Sequence, residues 1–160
     1  MNKLEAIAKY LIENNLRIST TESCTGGLLS SKFTDVSGSS AFVHLNFVTY
    51  SNEAKNKILG VKTETLEKFG AVSRECAFEM ASGLMNVTGA DICISTTGID
   101  GPTGGSKEKP VGLMYSCICT KDKTEVFKVN LPPDTPRIEM KSKFADAVID
   151  NLFNFIGLGI

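Results

Sequence analysis

Apolar residues recur along the chain with two different periods. Spacings of three and four residues predict amphipathic helices, whereas alternation or short apolar runs predict strands. The spacing predicts helices over 3–15, from Leu28 to Phe33, from Ser51-Asn52 to Gly60, over 63–69 to a stop at Gly70, from Ser73 onwards, and after Pro132-Pro133. The last of these carries Ile138, Ala145, Val148, Ile149, Leu152 and Phe153. Strands are predicted at 16–20, 41–50, 91–96, 111–120 and 125–129.

Helices and strands interleave without an internal repeat or a break in composition. This order is typical of a sheet covered by helices, and a tight turn at Lys121–Lys123 joins the last two strands. We therefore predict an α/β fold, a three-layer α/β/α sandwich with a mixed sheet. A length of 160 residues predicts one domain over 1–160.

The charge balance narrows the class of protein. Seventeen basic and eighteen acidic side chains leave a formal net charge of −1, and no basic run resembles a nucleic-acid footprint. The N-terminus lacks the apolar core of a signal peptide, and no apolar stretch reaches the length of a membrane span. We expect a soluble, cytoplasmic protein with no nucleic-acid or membrane partner.

Five cysteines are present, and no pair has C-x-x-C spacing. Cys93, Cys117 and Cys119 lie in apolar, strand-like runs, where a reduced thiol behaves as a small hydrophobic group. The chain has one histidine. These spacings predict neither a metal site nor a cofactor.

Ser23 follows the apolar run Leu16-Arg17-Ile18, where a strand gives way to a helix start. Such a position exposes a hydroxyl at the carboxyl end of a strand and aims N–H groups of the first helical turn at a ligand. A nucleophile and oxyanion donors would then arise from one turn. The alternative is an ordinary serine or threonine cap with two glycines at a tight turn.

Three segments should meet at the carboxyl ends of the strands, where α/β sheets bind ligands. They are the Ser23 turn, the junction from Tyr50 to Lys55 and the glycine-rich loop from Thr97 to Ser106. The loop matches neither a Walker A sequence nor a dinucleotide fingerprint, so it implies no nucleotide class by itself. A purely structural loop is the alternative.

Lys55 is the better candidate for the base that Ser23 needs. It lies about one turn into a helix that begins beside Tyr50, so its ammonium and the phenol could both face Ser23, and partial burial would lower the lysine pKa. The alternative is a solvated helix face. His44 is more consistent with a solvent or subunit contact.

Two further residues have candidate roles. Cys24 is a competing nucleophile at a helix start, although packing beneath the turn is the simpler interpretation. Arg137, at the start of the last helix, is the right residue type to clamp a phosphate; a surface ion is the alternative.

Four separated motifs together resemble the CinA C-terminal domain family, whose characterised activity is nicotinamide-nucleotide amidase. They lie in order and cover nearly the whole chain: Thr21–Gly27, Val48–Lys55, Gly70–Ser73, and Thr97–Gly105 with Lys109–Gly112. The resemblance implies hydrolysis of the carboxamide of nicotinamide mononucleotide (NMN) to nicotinate mononucleotide and ammonia. It also suggests a stand-alone form of this domain.

The resemblance also implies roles for individual residues. Ser23 would be the nucleophile, and Tyr50 and Lys55 its activating partners. The predicted substrate-binding residues are Glu22, Thr25, Gly26, Gly27, Thr97, Gly98, Gly101 and Arg137. The family more often has alanine where this chain has Thr21 and Asp100. Asp100 adds a negative charge to a loop that could meet a phosphate.

We expect a homo-oligomer, in the first instance a dimer, that uses no cofactor and takes NMN as its small-molecule partner. The alternative function is a non-catalytic nucleotide-sensing or protein-interaction module of the competence and damage-inducible family. The combination of Ser23, Tyr50 and Lys55 disfavours that alternative.

Overall fold

A computed structural model describes residues 1–159, and within them a mixed sheet has five strands in the order β2-β1-β3-β4-β5. The strands are β1 (Ile18–Glu22), β2 (Phe47–Val48), β3 (Ile92–Gly98), β4 (Leu113–Cys119) and β5 (Thr124–Asn130). The first three are parallel, and β4 and β5 are antiparallel to their neighbours. The helices are α1 (Lys3–Glu13), α2 (Leu28–Thr34), α3 (Asn52–Leu59), α4 (Thr63–Phe69), α5 (Arg74–Thr88) and α6 (Arg137–Phe155).

Helices cover both faces of the sheet. On one face α1, α2 and α6 pack together, and on the other α5 lies across the strands with α3 and α4 beside it. Because strand side chains alternate, Ile94 and Ile118 join the core under α1 and α6, whereas Cys93 and Cys117 pack in the layer of α5. The predicted three-layer α/β/α sandwich with a mixed sheet is confirmed.

Local capping explains where several helices begin and end. The Ser51 and Ser73 hydroxyls accept hydrogen bonds from backbone N–H groups two to three residues into α3 and α5, at 3.0 and 3.1 Å. Gly60 ends α3 with a φ of 73°, a backbone conformation that glycine adopts without strain. These predicted boundaries are confirmed.

The last helix starts at Arg137, as predicted, after Pro136. Its buried stripe contains Met140, Phe144, Ala145, Val148, Ile149 and Leu152. Ile138, one of the apolar residues named for this helix in the sequence analysis, lies outside the stripe and is 85% exposed. Within residues 1–159, no helix combines the length and the apolar character that crossing a membrane requires.

The predicted strand over 41–50 is the main error of the sequence analysis. Residues Ser39–Ala41 form a 3₁₀ turn, and only Phe47–Val48 pair as a strand. The segment does run along β1, and the His44 N–H donates to the Ile18 carbonyl, but side chains replace the backbone partners at Leu45 and Asn46. Asn46 Oδ1 accepts from the Thr20 N–H and Ser19 Oγ accepts from the Leu45 N–H. Periodicity cannot reveal such a substitution.

Helices α3 and α5 approach each other unusually closely. A Cβ atom added at Gly83 of α5 would lie 1.9 Å from the Leu59 carbonyl oxygen of α3. Leu59 and Lys55 are the buried residues of α3, and four residues separate them, so they share one face of that helix. The absence of a side chain at Gly83 therefore sets how closely α3, and with it Lys55, packs against α5.

Candidate active site

The carboxyl ends of the three parallel strands form the centre of the candidate site. Glu22, the last residue of β1, is in register with Val48 of β2 and Thr96 of β3. Ser23 therefore follows the central strand of the three, and its N–H donates to the Thr96 carbonyl at 3.1 Å. As predicted, the Ser23 turn lies beside the segment after β2 and beside the end of β3.

The carboxylate of Glu22 supports this turn from beneath. It is fully buried and accepts hydrogen bonds from the N–H groups of Gly27, Leu29 and Ser30 at 3.2, 2.8 and 2.9 Å. Thr25 Oγ1 donates to it at 2.6 Å. A negative charge at the helix start thus satisfies the N–H groups that otherwise have no intrahelical partner.

This arrangement corrects two predictions. Glu22 does not line a binding surface, because its oxygens are already occupied within the turn. The N–H groups of the first turn of α2 are likewise unavailable as oxyanion donors, since they point at Glu22. Among residues 1–159, however, nothing accepts a hydrogen bond from the backbone N–H of Cys24 or Thr25. Those two groups, directly after Ser23, are the remaining candidates for an oxyanion hole.

Lys55 reaches Ser23 from the other side. Its Nζ lies 3.1 Å from Ser23 Oγ and also contacts the carbonyl oxygens of Thr49 and Tyr50 at 2.9 and 3.0 Å. The side chain is 1% exposed, whereas Ser23 retains 8% exposure. No carboxylate takes part in this contact, so the partners of the amine are a hydroxyl and two carbonyls.

Burial lowers the pKa of the Lys55 ammonium below its ordinary value. In the neutral form, the amine can donate its two hydrogens to the two carbonyl oxygens and direct its lone pair at the serine hydroxyl. The Ser23 hydroxyl is also within 3.4 Å of the Tyr50 carbonyl. A candidate nucleophile and a candidate base therefore lie within hydrogen-bond distance of each other.

Thr49 explains why these two carbonyls are held in place. Its Oγ1 lies 2.7 Å from that of Thr21, and its N–H donates to the Glu22 carbonyl at 2.8 Å. The chain then turns into α3 at the Ser51 cap. The backbone at Thr49 is thus fixed to β1, from which Ser23 also projects.

The group of Tyr50 that approaches Lys55 is its backbone carbonyl and not the phenol that the sequence analysis predicted. Its carbonyl oxygen faces Lys55, whereas its phenol is 59% exposed and accepts a hydrogen bond from Arg137 Nη2 at 3.3 Å. The expected phenol contact with Ser23 is therefore replaced by a phenol at the outer rim of the site.

Arg137 lies at the same rim and joins it to the glycine-rich loop. Its Nη1 donates to the Gly101 carbonyl at 2.6 Å, and its Nη2 is 3.8 Å from Asp100 Oδ2. Lys141, one turn later on α6, extends towards Gly26, where an added Cβ would lie 3.4 Å from the lysine Nζ. Of the two cations of α6, Lys141 thus faces the Ser23 turn and Arg137 faces the glycine-rich loop and Tyr50.

Asp100 lies behind these cations. Its side chain is 4% exposed, and Oδ1 has no hydrogen-bond partner among the described residues. Burial raises the pKa of the Asp100 carboxyl to about 6, although Arg137 and Lys141 act in the opposite direction. The same carboxylate contributes to the raised pKa of the Cys24 thiol, whose main cause is burial.

The other predicted residues have structural placements. Cys24 is buried beneath the turn, as the simpler interpretation held. Thr97 is buried in β3, where its hydroxyl donates to the Ala71 carbonyl at 2.8 Å. Gly98 and Gly101 leave no room for a Cβ beside β4 and Val111. Of the glycines, Gly26 is exposed at the site surface. His44 lies elsewhere, with Nε2 3.2 Å from the Thr88 carbonyl oxygen.

A cavity of 610 Å³ lies at the opposite end of the sheet, among residues that include Tyr10, Met85, Lys123 and Phe155, and no predicted site residue lines it. In the described part of the chain, no three His, Cys, Asp or Glu residues converge as a metal site would require.

The profile of the CinA C-terminal domain matches residues 2–156. The chain belongs to the CinA C-terminal domain family. The resemblance seen in the sequence motifs is therefore confirmed. A competence-damage inducible protein of Clostridium novyi (strain NT) is 52% identical over 134 residues, which are 84% of this chain and 32% of that relative. This CinA domain thus spans about one third of the length of the curated relatives it matches.

Solved structures of CinA proteins have the same fold. The competence/damage inducible protein CihA of Agrobacterium tumefaciens is 39% identical with a TM-score of 0.88, and the alignment covers 96% of both chains. The competence damage-inducible protein A (ComA) of Klebsiella pneumoniae is 31% identical with a TM-score of 0.92, covering 99% of this chain and 97% of that one.

Sequence reasoning did not identify three residues of this CinA site: Thr49, Thr96 and Lys141. A threonine lies at or near the carboxyl end of each of the three parallel strands, and this pattern could have indicated Thr49 and Thr96. Lys141 lies four residues after Arg137 and so shares its helix face. That spacing was the available signal for a second cation.

Proposed function

We propose that this domain hydrolyses the carboxamide of NMN, giving nicotinate mononucleotide and ammonia. The observation that carries the proposal is the buried Lys55 amine 3.1 Å from the Ser23 hydroxyl, held by two backbone carbonyls. A buried lysine without a carboxylate partner is costly as a structural element, and it is the form in which lysine acts as a base. The choice of substrate comes from the family resemblance.

The proposed reaction begins with a neutral Lys55. Its lone pair takes the Ser23 proton as Oγ attacks the carboxamide carbon. The oxygen of the resulting tetrahedral adduct would accept hydrogen bonds from the N–H groups of Cys24 and Thr25. The ammonium of Lys55 then returns the proton to the leaving nitrogen, so that the C–N bond breaks and ammonia departs.

The second half of the reaction removes the acyl group. A water molecule gives one proton to Lys55 and attacks the ester carbon, and Ser23 Oγ leaves with that proton. One water is consumed and one ammonia is released for each NMN. Arg137 and Lys141 would attract the substrate phosphate at the rim, so that binding energy remote from the amide positions the reacting carbon.

The decisive experiment is an assay of ammonia release from NMN by purified protein in buffer treated with a chelator. We expect turnover, and we expect free nicotinamide to be a poorer substrate because it lacks the ribose phosphate. Faster turnover of nicotinamide, or a need for added metal, would contradict the proposal.

Two adjacent substitutions provide a matched control. Ser23→Ala should abolish turnover, whereas Cys24→Ala should retain most of it because the thiol is buried beneath the turn. The reverse result would make the thiol the nucleophile. Wild-type protein that binds NMN without releasing ammonia would favour a nucleotide-sensing module instead.

A further inference from the structure

The buried carboxylate of Asp100 has no role in the reaction proposed above. It lies behind the rim of the site, where it is in contact with only one of the two cations of α6. Its Oδ2 is 3.8 Å from Arg137 Nη2, and its Oδ1 is buried with no partner among the described residues. A buried carboxylate oxygen without a hydrogen bond destabilises the charged form. The ion pair with Arg137 only partly offsets that cost.

Three groups face Asp100 from the elements around it. Arg137 and Lys141 come from α6, and Cys24 comes from the turn after β1. Since the thiol stays neutral, Asp100 and the two cations carry a total charge of +1 when Asp100 is ionised and +2 when it is protonated. A ligand phosphate at the rim would therefore meet a more positive surface when Asp100 holds a proton.

Arg137 is the point of competition. Its guanidinium already contacts Asp100, the Gly101 carbonyl and the Tyr50 phenol. A phosphate that takes up a charge-assisted hydrogen bond from this guanidinium draws on the same donors. The added negative charge also favours the protonated form of a carboxyl group only a few ångströms away.

We propose that Asp100 determines the selectivity of this site between phosphorylated and phosphate-free ligands, by competing with a ligand phosphate for Arg137. Binding of a phosphorylated ligand is then coupled to uptake of one proton from solvent by Asp100. The ion pair re-forms when the ligand leaves. The inference rests on the proposed function, because NMN is the ligand whose phosphate would occupy this rim.

The coupling gives a pH dependence with a defined sign. At pH 8 Asp100 is ionised in the free protein, and protonating it on binding weakens the affinity. At pH 5 it already holds the proton, and that penalty is absent. Two pH units above the carboxyl pKa set an upper limit of about a hundredfold on the penalty. We expect a penalty of about tenfold in affinity, because the phosphate also binds in part while Asp100 remains ionised.

The test is calorimetric binding of NMN and of its phosphate-free riboside at pH 5 and pH 8. It uses Ser23→Ala protein, which prevents turnover, with and without Asp100→Asn. Asp100→Asn should tighten NMN binding about tenfold at pH 8 and by less than about twofold at pH 5. The phosphate of NMN also titrates over this pH range, but its titration affects binding to both proteins equally. It therefore cancels in the ratio of their dissociation constants for NMN.

Two controls make the result specific. Riboside affinity should change less than about twofold on Asp100→Asn at either pH, because that ligand carries no phosphate. Glu139→Gln removes an exposed carboxylate two residues from Arg137. It should leave the dissociation constant for NMN nearly unchanged at both pH values. Asp100→Ala should reproduce Asp100→Asn, which guards against an effect of the amide itself.

The outcomes separate this inference from the proposed function. If NMN binds and Asp100→Asn changes its dissociation constant by the same factor at both pH values, the inference about Asp100 fails and the proposed function is unaffected. Equal tightening of the riboside would also overturn the inference, because the carboxylate would then not act on phosphate. If neither protein binds NMN, both the inference and the proposed function fail.

Discussion

Two buried polar clusters flank Ser23, and they differ in how completely their groups are paired. In the first cluster, Glu22 beneath the turn has hydrogen-bond partners on both oxygens, and Lys55 on the other side of Ser23 has three acceptors. Beside the turn, Asp100 has an ion pair on one oxygen and no partner on the other. A fully paired cluster fixes one geometry, whereas a partly paired one leaves a carboxyl group that can change charge within the physiological range. The first suits a catalytic pair and the second suits a response to charge.

The strongest test of the paired cluster is Lys55→Met, which keeps the length and apolar stem of the side chain but removes the amine. We expect a loss of about three orders of magnitude in kcat, the size of a general-base contribution. Stability should not fall, because a buried amine is replaced by an apolar group. Ammonia release and urea unfolding would measure the two effects.

Lys57→Met is the matched control for Lys55. It lies on the same helix, but its side chain is 70% exposed and pairs only with Glu53. Activity should change by less than about twofold, since exposed ion pairs contribute about 1 kcal/mol or less. Equal losses at both positions would mean that α3 needs its positive charge in general rather than a base at Ser23.

A second test removes the support beneath the turn. Glu22→Gln replaces one charged acceptor oxygen by an amide that cannot accept from the N–H groups of α2. We expect destabilisation of about 3 kcal/mol, since hydrogen bonds to a buried charge are strong and their loss leaves N–H groups unpaired. Glu67→Gln, at an exposed position of α4, should change the free energy of unfolding by less than about 0.5 kcal/mol. Similar values for the two variants would contradict the supporting role.

The third test concerns the partly paired cluster. The Asp100 carboxyl has a pKa of about 6 in the folded protein against an ordinary value of 3.8. Between these values the folded state holds a proton that the unfolded state has lost, so stability falls as pH rises from about 4 to about 6. Asp100→Asn should therefore stabilise the protein by about 3 kcal/mol at pH 7 and by less than about 1 kcal/mol at pH 4.

Urea unfolding of wild type and Asp100→Asn at four pH values between 4 and 7 would measure this difference. Asp134→Asn, at an exposed position before α6, supplies the baseline for removing one surface carboxylate. A difference between wild type and Asp100→Asn that stays constant with pH would show that Asp100 is ionised throughout. The contrast between the two clusters would then disappear.

The smallest expected effect lies at the rim. Arg137→Ala should raise the KM for NMN about tenfold, which corresponds to one charge-assisted hydrogen bond of about 1.5 kcal/mol. The KM for the phosphate-free riboside should change little. Arg137→Lys should recover part of the loss, because lysine keeps the charge but lacks the planar fork. Equal losses on nucleotide and riboside would move Arg137 away from the phosphate.

Features that depend on local chemistry were predictable from the sequence. The caps at Ser51 and Ser73 and the end of α3 at Gly60 follow from residue type and position alone. Residue spacing left Lys55 with two interpretations, and its nearness to Ser23 was implied by the family resemblance, because the two residues lie on different segments of the chain. The two layers of helices followed from the order of the elements.

Features that depend on pairing between distant segments were not predictable. Whether Asn46 uses its side chain or its backbone towards β1 decides the length of β2, and period-two alternation is the same in both cases. The direction of the Tyr50 phenol depends on Arg137, which comes much later in the chain. The buried state of Asp100 likewise requires α6, so a polar loop in the sequence gave no sign of it.

The missing side chain at Gly83 has a consequence for how this protein can change over evolutionary time. Any other residue there would collide with the Leu59 carbonyl and push α3 outwards, and the amine of Lys55 would move with it. A position with no functional group therefore constrains the chemistry as strictly as the nucleophile does. Saturation mutagenesis at this codon should recover only glycine among active clones. Under the proposed function, activity would therefore depend on a glycine of α5 that contributes no side chain to the site.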